Sequence, residues 1–293
     1  MKYALFLGCT VPVRALNYEI SARKVAERIG LEFIDDNRFT CCGFPVKSVD
    51  IEASLLMGAR NLAIAEDLGV DICTLCSACT SSLTEVNKVL KEDEELREVI
   101  NGKMGDVRYN GTIRVRHFAR VLYEDFGVCG LKDFIINPLE GFRFAPHYGC
   151  HYVKPSEIYS GFDDPEDPHT LDELIGVTGA ESIAYERKML CCGGGILGID
   201  EEVALKMSAE KLMVIKEKKV DGMISICPFC SIMYEGNQRK IEKMITEELG
   251  IPVFYYPQVL GLALGLAPEE LGFSLNRVKP KKFLEKLKAG AKV

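Results

Sequence analysis

Cysteines form the strongest chemical pattern in this chain of 293 residues, twelve of which are cysteine. Two adjacent cysteines are followed by glycine at Cys41-Cys42-Gly43 and again at Cys191-Cys192-Gly193. Each pair has one cysteine before it and a Cys-x-x-Cys motif after it, so the pattern occurs twice with five cysteines each time. The ten members are Cys9, Cys41, Cys42, Cys76 and Cys79 in the first copy and Cys150, Cys191, Cys192, Cys227 and Cys230 in the second.

The number and spacing of these cysteines indicate what they could bind. Five thiolates in each copy exceed the four ligands of a closed zinc site. Side chains of adjacent residues point apart in an extended segment, so each pair is expected to reach two metals or two corners of a cluster. Soft sulfur ligands around several metals favour iron–sulfur chemistry, and glycine lets the backbone approach inorganic sulfide closely. A buried cysteine pair, or one zinc ion with spare thiols, is the alternative.

The doubled motif is similar to the CCG cysteine-rich domain pair, and about residues 1–266 resemble the B subunits of CoB–CoM heterodisulfide reductases. The resemblance implies two noncubane [4Fe-4S] clusters and reduction of the CoM-S-S-CoB disulfide to the coenzyme M and coenzyme B thiols in methanogenesis. It also implies a ferredoxin-like C subunit, a flavin-containing A subunit and a hydrogenase or formate dehydrogenase module as partners. Glycolate-, lactate-, glycerol-3-phosphate- and fumarate-linked oxidoreductases carry the same motif, so an electron-transfer protein of that type is the second hypothesis.

The repeat also predicts the architecture, which is α/β with two pseudo-symmetric CCG repeats, each a small parallel sheet with flanking helices. The predicted domains are residues 1–137 and 138–270, followed by a basic C-terminal tail at 271–293. Buried strands at 3–8 and 142–149 end at the first cysteine of each copy. Open α/β sheets bind ligands beyond the carboxyl ends of their strands, so the cysteines are expected to gather there.

Two cysteines fall outside the pattern. Cys73 lies three residues before a Cys-x-x-Cys motif and extends it towards a ferredoxin motif, but Leu83 stands where the fourth cysteine is needed. The register between the copies places Cys73 opposite Ile224, inside a strand, and Cys129 opposite Ala267. Both cysteines are therefore predicted to be small buried side chains rather than ligands.

Histidines near Cys150 are candidates for proton transfer. His147 and His151 suggest a zinc site with Cys150, but their counterparts in the first copy are Phe6 and Thr10. Histidine ligation is therefore the weaker interpretation. We predict that His151 protonates or polarises a substrate sulfur, with a structural role as the alternative, and that His117 has a polar role in the core.

Three cations follow cluster ligands in loops and are candidates for binding an anionic disulfide substrate. They are Arg14, Lys47 and Lys154. Each could meet a sulfonate, phosphate or carboxylate group, although an exposed cation in water is the alternative for each one alone.

Composition narrows the class of protein. The hydrophobic content of 47% supports a core without disulfides, and the cysteine usage indicates a reducing cytoplasm. The apolar start before Gly8-Cys9 is too short for a secretory signal, and no apolar run is long enough to span a membrane. The net charge of −7 argues against nucleic-acid binding. Flavin and nicotinamide motifs are absent from the sequence, so electrons must come from other proteins.

Two charged segments remain to be interpreted. Residues 91–112 are predicted to be a helix end and a surface linker between the copies. Residues 277–288 carry lysines around Phe283, Leu284 and Leu287, which predicts a basic terminal helix that docks with a partner or is solvated.

Overall fold

Two parallel four-stranded sheets of equivalent topology form the centre of the protein. The structure is a computed structural model, and it describes residues 1–290. The strand orders are β2-β1-β3-β4 and β6-β5-β7-β8, which confirms the predicted fold class. The strands are β1 Lys2–Phe6, β2 Glu32–Ile34, β3 Ile72–Thr74, β4 Val115–His117, β5 Arg143–His147, β6 Glu181–Ser182, β7 Gly222–Ser225 and β8 Val253–Tyr255.

Helices flank both sheets. In the first half they are α1 Val11–Arg14, α2 Leu16–Ile29, α3 Ile51–Asp67, α4 Ser77–Glu92, α5 Glu94–Met104, α6 Phe118–Val121 and α7 Gly127–Lys132. In the second half they are α8 Thr170–Val177, α9 Glu201–Glu217, α10 Pro228–Ser231, α11 Gln238–Ile245, α12 Tyr256–Ala263 and α13 Lys281–Gly290. Among residues 1–290, none of these helices combines the length and apolar character needed to cross a bilayer.

Local sequence signals explain where the repeated helices begin. Asp50 accepts a hydrogen bond from the backbone amide of Ala53 at the start of α3, and Asp200 accepts one from Val203 at the start of α9. Both helices are 17 residues long and begin at the same distance after their Cys-Cys pair. The repeat is therefore structural and extends beyond the ligands, as the sequence predicts.

The two halves share their hydrophobic core. The ring of Tyr18 on α2 stacks on Tyr255 of the second half, with centroids 4.1 Å apart. The Tyr18 hydroxyl donates to the carbonyl oxygen of Ile226 at 3.2 Å, and His117 Nε2 lies 2.9 Å from the same oxygen. Each of the two large apolar clusters contains residues from both halves. The carboxyl edges of the two sheets therefore meet at a packed and hydrogen-bonded interface. The domain boundaries at 137 and 270 stay predictions.

Two expectations from the sequence differ from the structure. The segment predicted to be a surface linker contains α5, whose Ile100 and Met104 are buried against the first half, so apolar spacing outweighs the high charge of this stretch. The prediction that Cys129 is buried is wrong: its side chain is exposed at α7, because that helix buries Leu131 instead. The predicted burial of Cys73 is confirmed, since its side chain is fully buried in β3, and its predicted absence from the ligand set stays a prediction.

The basic terminal segment forms the predicted helix, α13, and packs on its own second half. Phe283 is 2% exposed, and its ring lies 4.8 Å from that of Phe254 and 5.2 Å from that of Phe142. Lys286 pairs with Asp221 on the same half. The apolar face of the helix is thus used within the chain, while residues 291–293 of the predicted tail lie outside the described residues.

Candidate functional site

The ten pattern cysteines gather at the carboxyl edges of the two sheets, each half in the same arrangement. Four of them are accessible: Cys9 and Cys191 are exposed, and Cys41 and Cys150 are partly exposed. The other six are buried, namely Cys42, Cys76, Cys79, Cys192, Cys227 and Cys230. Within each adjacent pair one side chain faces outward and the next faces the core. The two members of a pair therefore differ in exposure, although their side chains still interact with each other.

Both Cys-x-x-Cys motifs lie at the start of a helix. Cys76 immediately precedes α4, and Cys227 immediately precedes α10. Free amide groups and the positive end of the helix dipole favour negative charge at this position, whether on a thiolate or on a cluster. Amide groups also point at the Cys-Cys pair of the second half, where Gly193 N and Gly194 N each lie 3.4 Å from a cysteine Sγ. The local backbone is therefore suited to sulfur that carries negative charge.

Neighbouring thiols shift one another's pKa in a series that crosses the interface between the halves. Interaction with Cys227 raises the pKa of Cys76, and interaction with Cys79 lowers the pKa of Cys42 to about 7. The order along the series is Cys9, Cys41, Cys42, Cys79, Cys76, Cys227, Cys230, Cys192, Cys191 and Cys150. Equivalent residues occupy equivalent places from both ends, so the two halves are related by a pseudo-twofold axis between Cys76 and Cys227.

This arrangement is unlike a closed single-ion site. In the part of the chain that the structure describes, no three His, Cys, Asp or Glu side chains are placed to hold one metal ion. Ten neighbouring thiols cannot all ionise together, because like charges repel and burial disfavours each thiolate. Positive charge distributed among them would remove that penalty. The chemistry of the donor set therefore fits polynuclear iron–sulfur binding better than a structural zinc ion.

Glycines stand beside buried sulfurs at two equivalent positions, and the space is too small for a side chain at Gly8, whereas a Cβ at Gly149 would make an ordinary contact. A Cβ atom on Gly8 would lie 2.9 Å from Cys79 Sγ, and one on Gly149 would lie 3.6 Å from Cys230 Sγ. The glycines after the pairs have a packing role as well, and their predicted contact with sulfide stays a prediction. A Cβ on Gly43 or Gly193 would lie 2.7 Å or 2.8 Å from a backbone oxygen of the following helix, so these glycines permit close packing of loop on helix.

Replacing Gly8 by alanine is expected to lower the iron and sulfide content of the first half. The added Cβ would displace Cys79 Sγ, and the positive φ of 63° disfavours any side chain here. Iron and acid-labile sulfide per chain are measured after anaerobic reconstitution. Gly102→Ala is the matched control, because no atom lies within 4 Å of its added Cβ and alanine suits a helix interior. Full iron content in Gly8→Ala would contradict the view that Gly8 leaves necessary space for Cys79 Sγ.

A buried lysine that the sequence analysis missed lies beneath the second Cys-Cys pair. Lys211 on α9 is fully buried, and its Nζ donates to the carbonyl oxygens of Leu190 at 2.6 Å and Lys188 at 2.8 Å. It also lies 3.1 Å from Nδ1 of His147. Its position in the repeat could have indicated this burial. Lys211 is as far from its Cys-Cys pair as Asn61 is in the first half, and both positions fall on the apolar face of their helices.

The histidines occupy different environments. His117 is fully buried, accepts a hydrogen bond from the Ala119 amide and has its pKa lowered to about 4 by burial, which confirms a polar role in the core. The ring of His151 packs edge-on against Phe44 of the first half, with centroids 4.9 Å apart. Burial lowers the pKa of His151, and its Nδ1 has no partner among residues 1–290. His151 therefore lies at the junction of the halves, next to Cys150, and its catalytic role stays a prediction.

The three candidate substrate cations lie on the surface. Lys47 pairs with Glu85 on α4, and Lys154 pairs with Glu166 in the acidic loop. Arg14 is exposed at the end of α1 and forms no ion pair within the described part of the chain. Exposed pairs of this kind contribute at most about 1 kcal/mol, so an anionic ligand could replace either carboxylate. Of the three, Lys47 is near enough to His151 to affect its pKa.

A surface cleft gives solvent access to the first half. It is lined by Cys9 and Cys41 together with Pro12, Phe39 and Thr40. Two of the accessible thiols thus face a partly apolar depression. A small molecule could approach the first group of cysteines there without any rearrangement of the inner three.

The comparisons with known proteins agree with the repeat. The cysteine-rich domain family named CCG matches the chain twice, at residues 3–84 and 144–235. The chain is 36% identical to the B subunit of the ferredoxin/F(420)H(2)-dependent CoB-CoM heterodisulfide reductase of Methanosarcina acetivorans, over 98% of this chain and 97% of that protein. It is 29% identical to the 8-methylmenaquinol:fumarate reductase membrane anchor subunit of Wolinella succinogenes, over 94% of this chain and 96% of that protein.

One solved structure supports the fold alone. The crystal structure of a hypothetical protein from Helicobacter pylori superposes with a TM-score of 0.76 at 17% identity, covering 95% of this chain and 52% of that one. The family match, the identity and the doubled thiol arrangement point in one direction. The chain belongs to the CCG cysteine-rich domain family and, within it, to the heterodisulfide reductase B subunits.

Proposed function

We propose that this member of the heterodisulfide reductase B family is a cytoplasmic catalytic subunit that reduces the CoM-S-S-CoB disulfide. The products are the thiols of coenzymes M and B, and the reaction consumes two electrons and two protons. Two noncubane [4Fe-4S] clusters, one in each half, are the proposed cofactors. The ten pattern cysteines are their proposed ligands.

One observation carries this proposal, namely the series of ten thiols that runs through both halves and meets at Cys76 and Cys227. Cleaving a disulfide takes two electrons and yields two sulfur fragments, whereas an iron–sulfur cluster ordinarily supplies one electron at a time. Two equivalent sites facing each other across one interface match that stoichiometry. A chain with one site would need to store the second electron elsewhere.

The chain's own residues would bind and orient the substrate around these sites. When bound, the clusters supply one-electron reduction at sulfur. The inner cysteines would hold each cluster on the side of the sheets, and the accessible ones would hold it on the side open to the disulfide. Arg14, Lys47 and Lys154 are the proposed contacts for the anionic groups of the substrate. His151, at the junction of the halves, is the proposed route by which a proton from water reaches a departing thiolate.

Electrons must enter from other proteins. The proposed partners are a ferredoxin-like C subunit and a flavin-containing A subunit, supplied in turn by a hydrogenase or formate dehydrogenase module. The support is twofold: the relatives are B subunits by name, and the sequence carries no dinucleotide motif and no complete ferredoxin motif.

A second candidate function is electron transfer within a fumarate-, glycolate- or lactate-type oxidoreductase. The relative from Wolinella succinogenes, a fumarate reductase subunit with matching length, favours this candidate. In that case the same sites would pass electrons onward without breaking a disulfide. The two functions differ in whether thiol is released.

Thiol release from CoM-S-S-CoB by the reconstituted chain decides between them. With a reduced viologen as donor we expect two thiols per two electrons consumed, because the artificial donor bypasses the missing partners. With a flavin or nicotinamide donor alone we expect no turnover. Viologen oxidation by fumarate in the presence of a cognate partner, without any thiol release from the disulfide, would instead establish the electron-transfer function.

A further inference from the structure

The two halves differ in charge at one place beneath otherwise equivalent cysteines. Lys211 in the second half and Asn61 in the first stand at the same distance from their Cys-Cys pairs, on the equivalent helices α9 and α3. Both side chains are fully buried. Asn61 is neutral and Lys211 is a cation. The two halves therefore differ in charge directly beneath their Cys-Cys pairs.

Both residues hold the backbone that leads into the pair. Asn61 Nδ2 donates to the carbonyl oxygen of Cys41 at 3.1 Å, and its Oδ1 accepts from Thr40 N at 2.9 Å. Lys211 donates to the carbonyl oxygens of Lys188 and Leu190. A neutral amide thus suffices for the mechanical task. The positive charge of Lys211 is an addition that the support of the loop does not require.

The ammonium group of Lys211 has no carboxylate partner among the described residues. Its contacts are two carbonyl oxygens and Nδ1 of His147. Burial lowers the pKa of Lys211 to about 8, while four of the five second-half cysteines oppose this shift. A buried cation requires a compensating negative charge. The second group of cysteines, with whatever it binds, is the source of negative charge that acts most strongly on Lys211.

Two unpaired donors accompany the lysine. Because Lys211 can only donate, His147 accepts at Nδ1 and carries its proton on Nε2, which has no partner in the described part of the chain. The hydroxyl of Tyr234 also has none within residues 1–290, and its ring lies 4.8 Å from that of His147. Leaving a buried donor unpaired destabilises the fold, so both are expected to meet an acceptor beside the cysteines. The equivalent positions in the first half are Phe6 and Leu83, which offer no donor.

We infer that Lys211, with His147 and Tyr234, makes the second site easier to reduce than the first. This inference rests on the proposed iron–sulfur sites. One electron from an external donor adds one negative charge to the group held by the second set of cysteines, and no covalent bond in this chain forms or breaks. A buried positive charge and unpaired hydrogen-bond donors near the second set of cysteines stabilise that added charge. The second half therefore receives the first electron, and the two halves act in a fixed order.

The test is a potentiometric titration of the reconstituted full chain, followed by electron paramagnetic resonance. Lys211→Met is expected to lower the ratio of reduced to oxidised second-half group at least about tenfold at a given potential. For a one-electron step this corresponds to a midpoint potential lower by about 59 mV. The first-half signal stays in place. Lys211→Arg keeps the charge and is expected to preserve the potential. Loss of one signal in Cys192→Ala identifies the second half.

Lys206→Met is the matched control, because Lys206 lies on the exposed face of the same helix and pairs with Glu202. It is expected to move neither signal. If Lys211→Met loads too little iron to be titrated, Asn61→Lys supplies the converse test. In that variant the midpoint potential of the first-half signal should rise. Unmoved potentials in a fully loaded Lys211→Met or Asn61→Lys chain overturn the inference while leaving the proposed function intact. A native chain without iron in its second half overturns both.

Discussion

Replacing Cys192 by alanine is expected to remove iron and sulfide from the second half and to abolish disulfide reduction by the whole chain. Cys192 is buried and lies between Cys191 and Cys230 in the series of thiols. Its loss therefore removes the central member of the five second-half cysteines. We expect a fall in turnover of at least about 100-fold, since even residues that only support metal ligands cost 10–100-fold when changed. Iron, sulfide and viologen-driven thiol release are measured on the same preparations.

Cys73→Ala is the matched control, because Cys73 is equally buried but lies outside the series. Burial is the main cause of its raised pKa, and the other contributions come from Arg116 and Asp125 rather than from a cysteine. The variant should keep its full iron content and lose only about 1 kcal/mol of stability. Loss of iron in Cys73→Ala, with Cys76→Ala tolerated, would show that the wrong cysteine had been assigned to the first motif.

Each thiol product is expected to perturb the spectrum of a different half. The pseudo-twofold arrangement places equivalent accessible cysteines on both sides of one interface, Cys41 in the first half and Cys191 in the second. A disulfide lying between them would leave one sulfur fragment on each side. Oxidised protein is titrated separately with coenzyme M and coenzyme B thiols, using isotopically labelled sulfur to detect coupling to iron.

The controls are Cys41→Ala and Cys191→Ala, each of which should abolish the response to one thiol and leave the response to the other. If both thiols perturb the same half, the other half serves only as a relay and the two halves are not equivalent in catalysis. That outcome would leave the family assignment unaffected, because it concerns the division of labour between the sites.

The architecture and the gathering of the ten pattern cysteines can be read from the order of the residues. Motif spacing repeats over whole strand–helix units, so superposing the cysteines also superposes helices such as α3 and α9. The period of the apolar residues then places the cysteines at the carboxyl ends of parallel strands. The same register correctly places Cys73 inside a buried strand. It fails for Cys129, because a weak repeat near the end of a half carries no information on which face of a short helix is buried.

The way in which the halves combine depends on packing in three dimensions. The meeting of Cys76 with Cys227 requires α2 to pack against α12, which joins residues more than 200 positions apart and leaves no local sequence signal. The same holds for Lys211. A lysine in an amphipathic helix ordinarily indicates an exposed face, and the side chain is buried here because loop carbonyl oxygens and His147 satisfy it from another part of the chain. Long-range contacts of this kind make two similar halves chemically different.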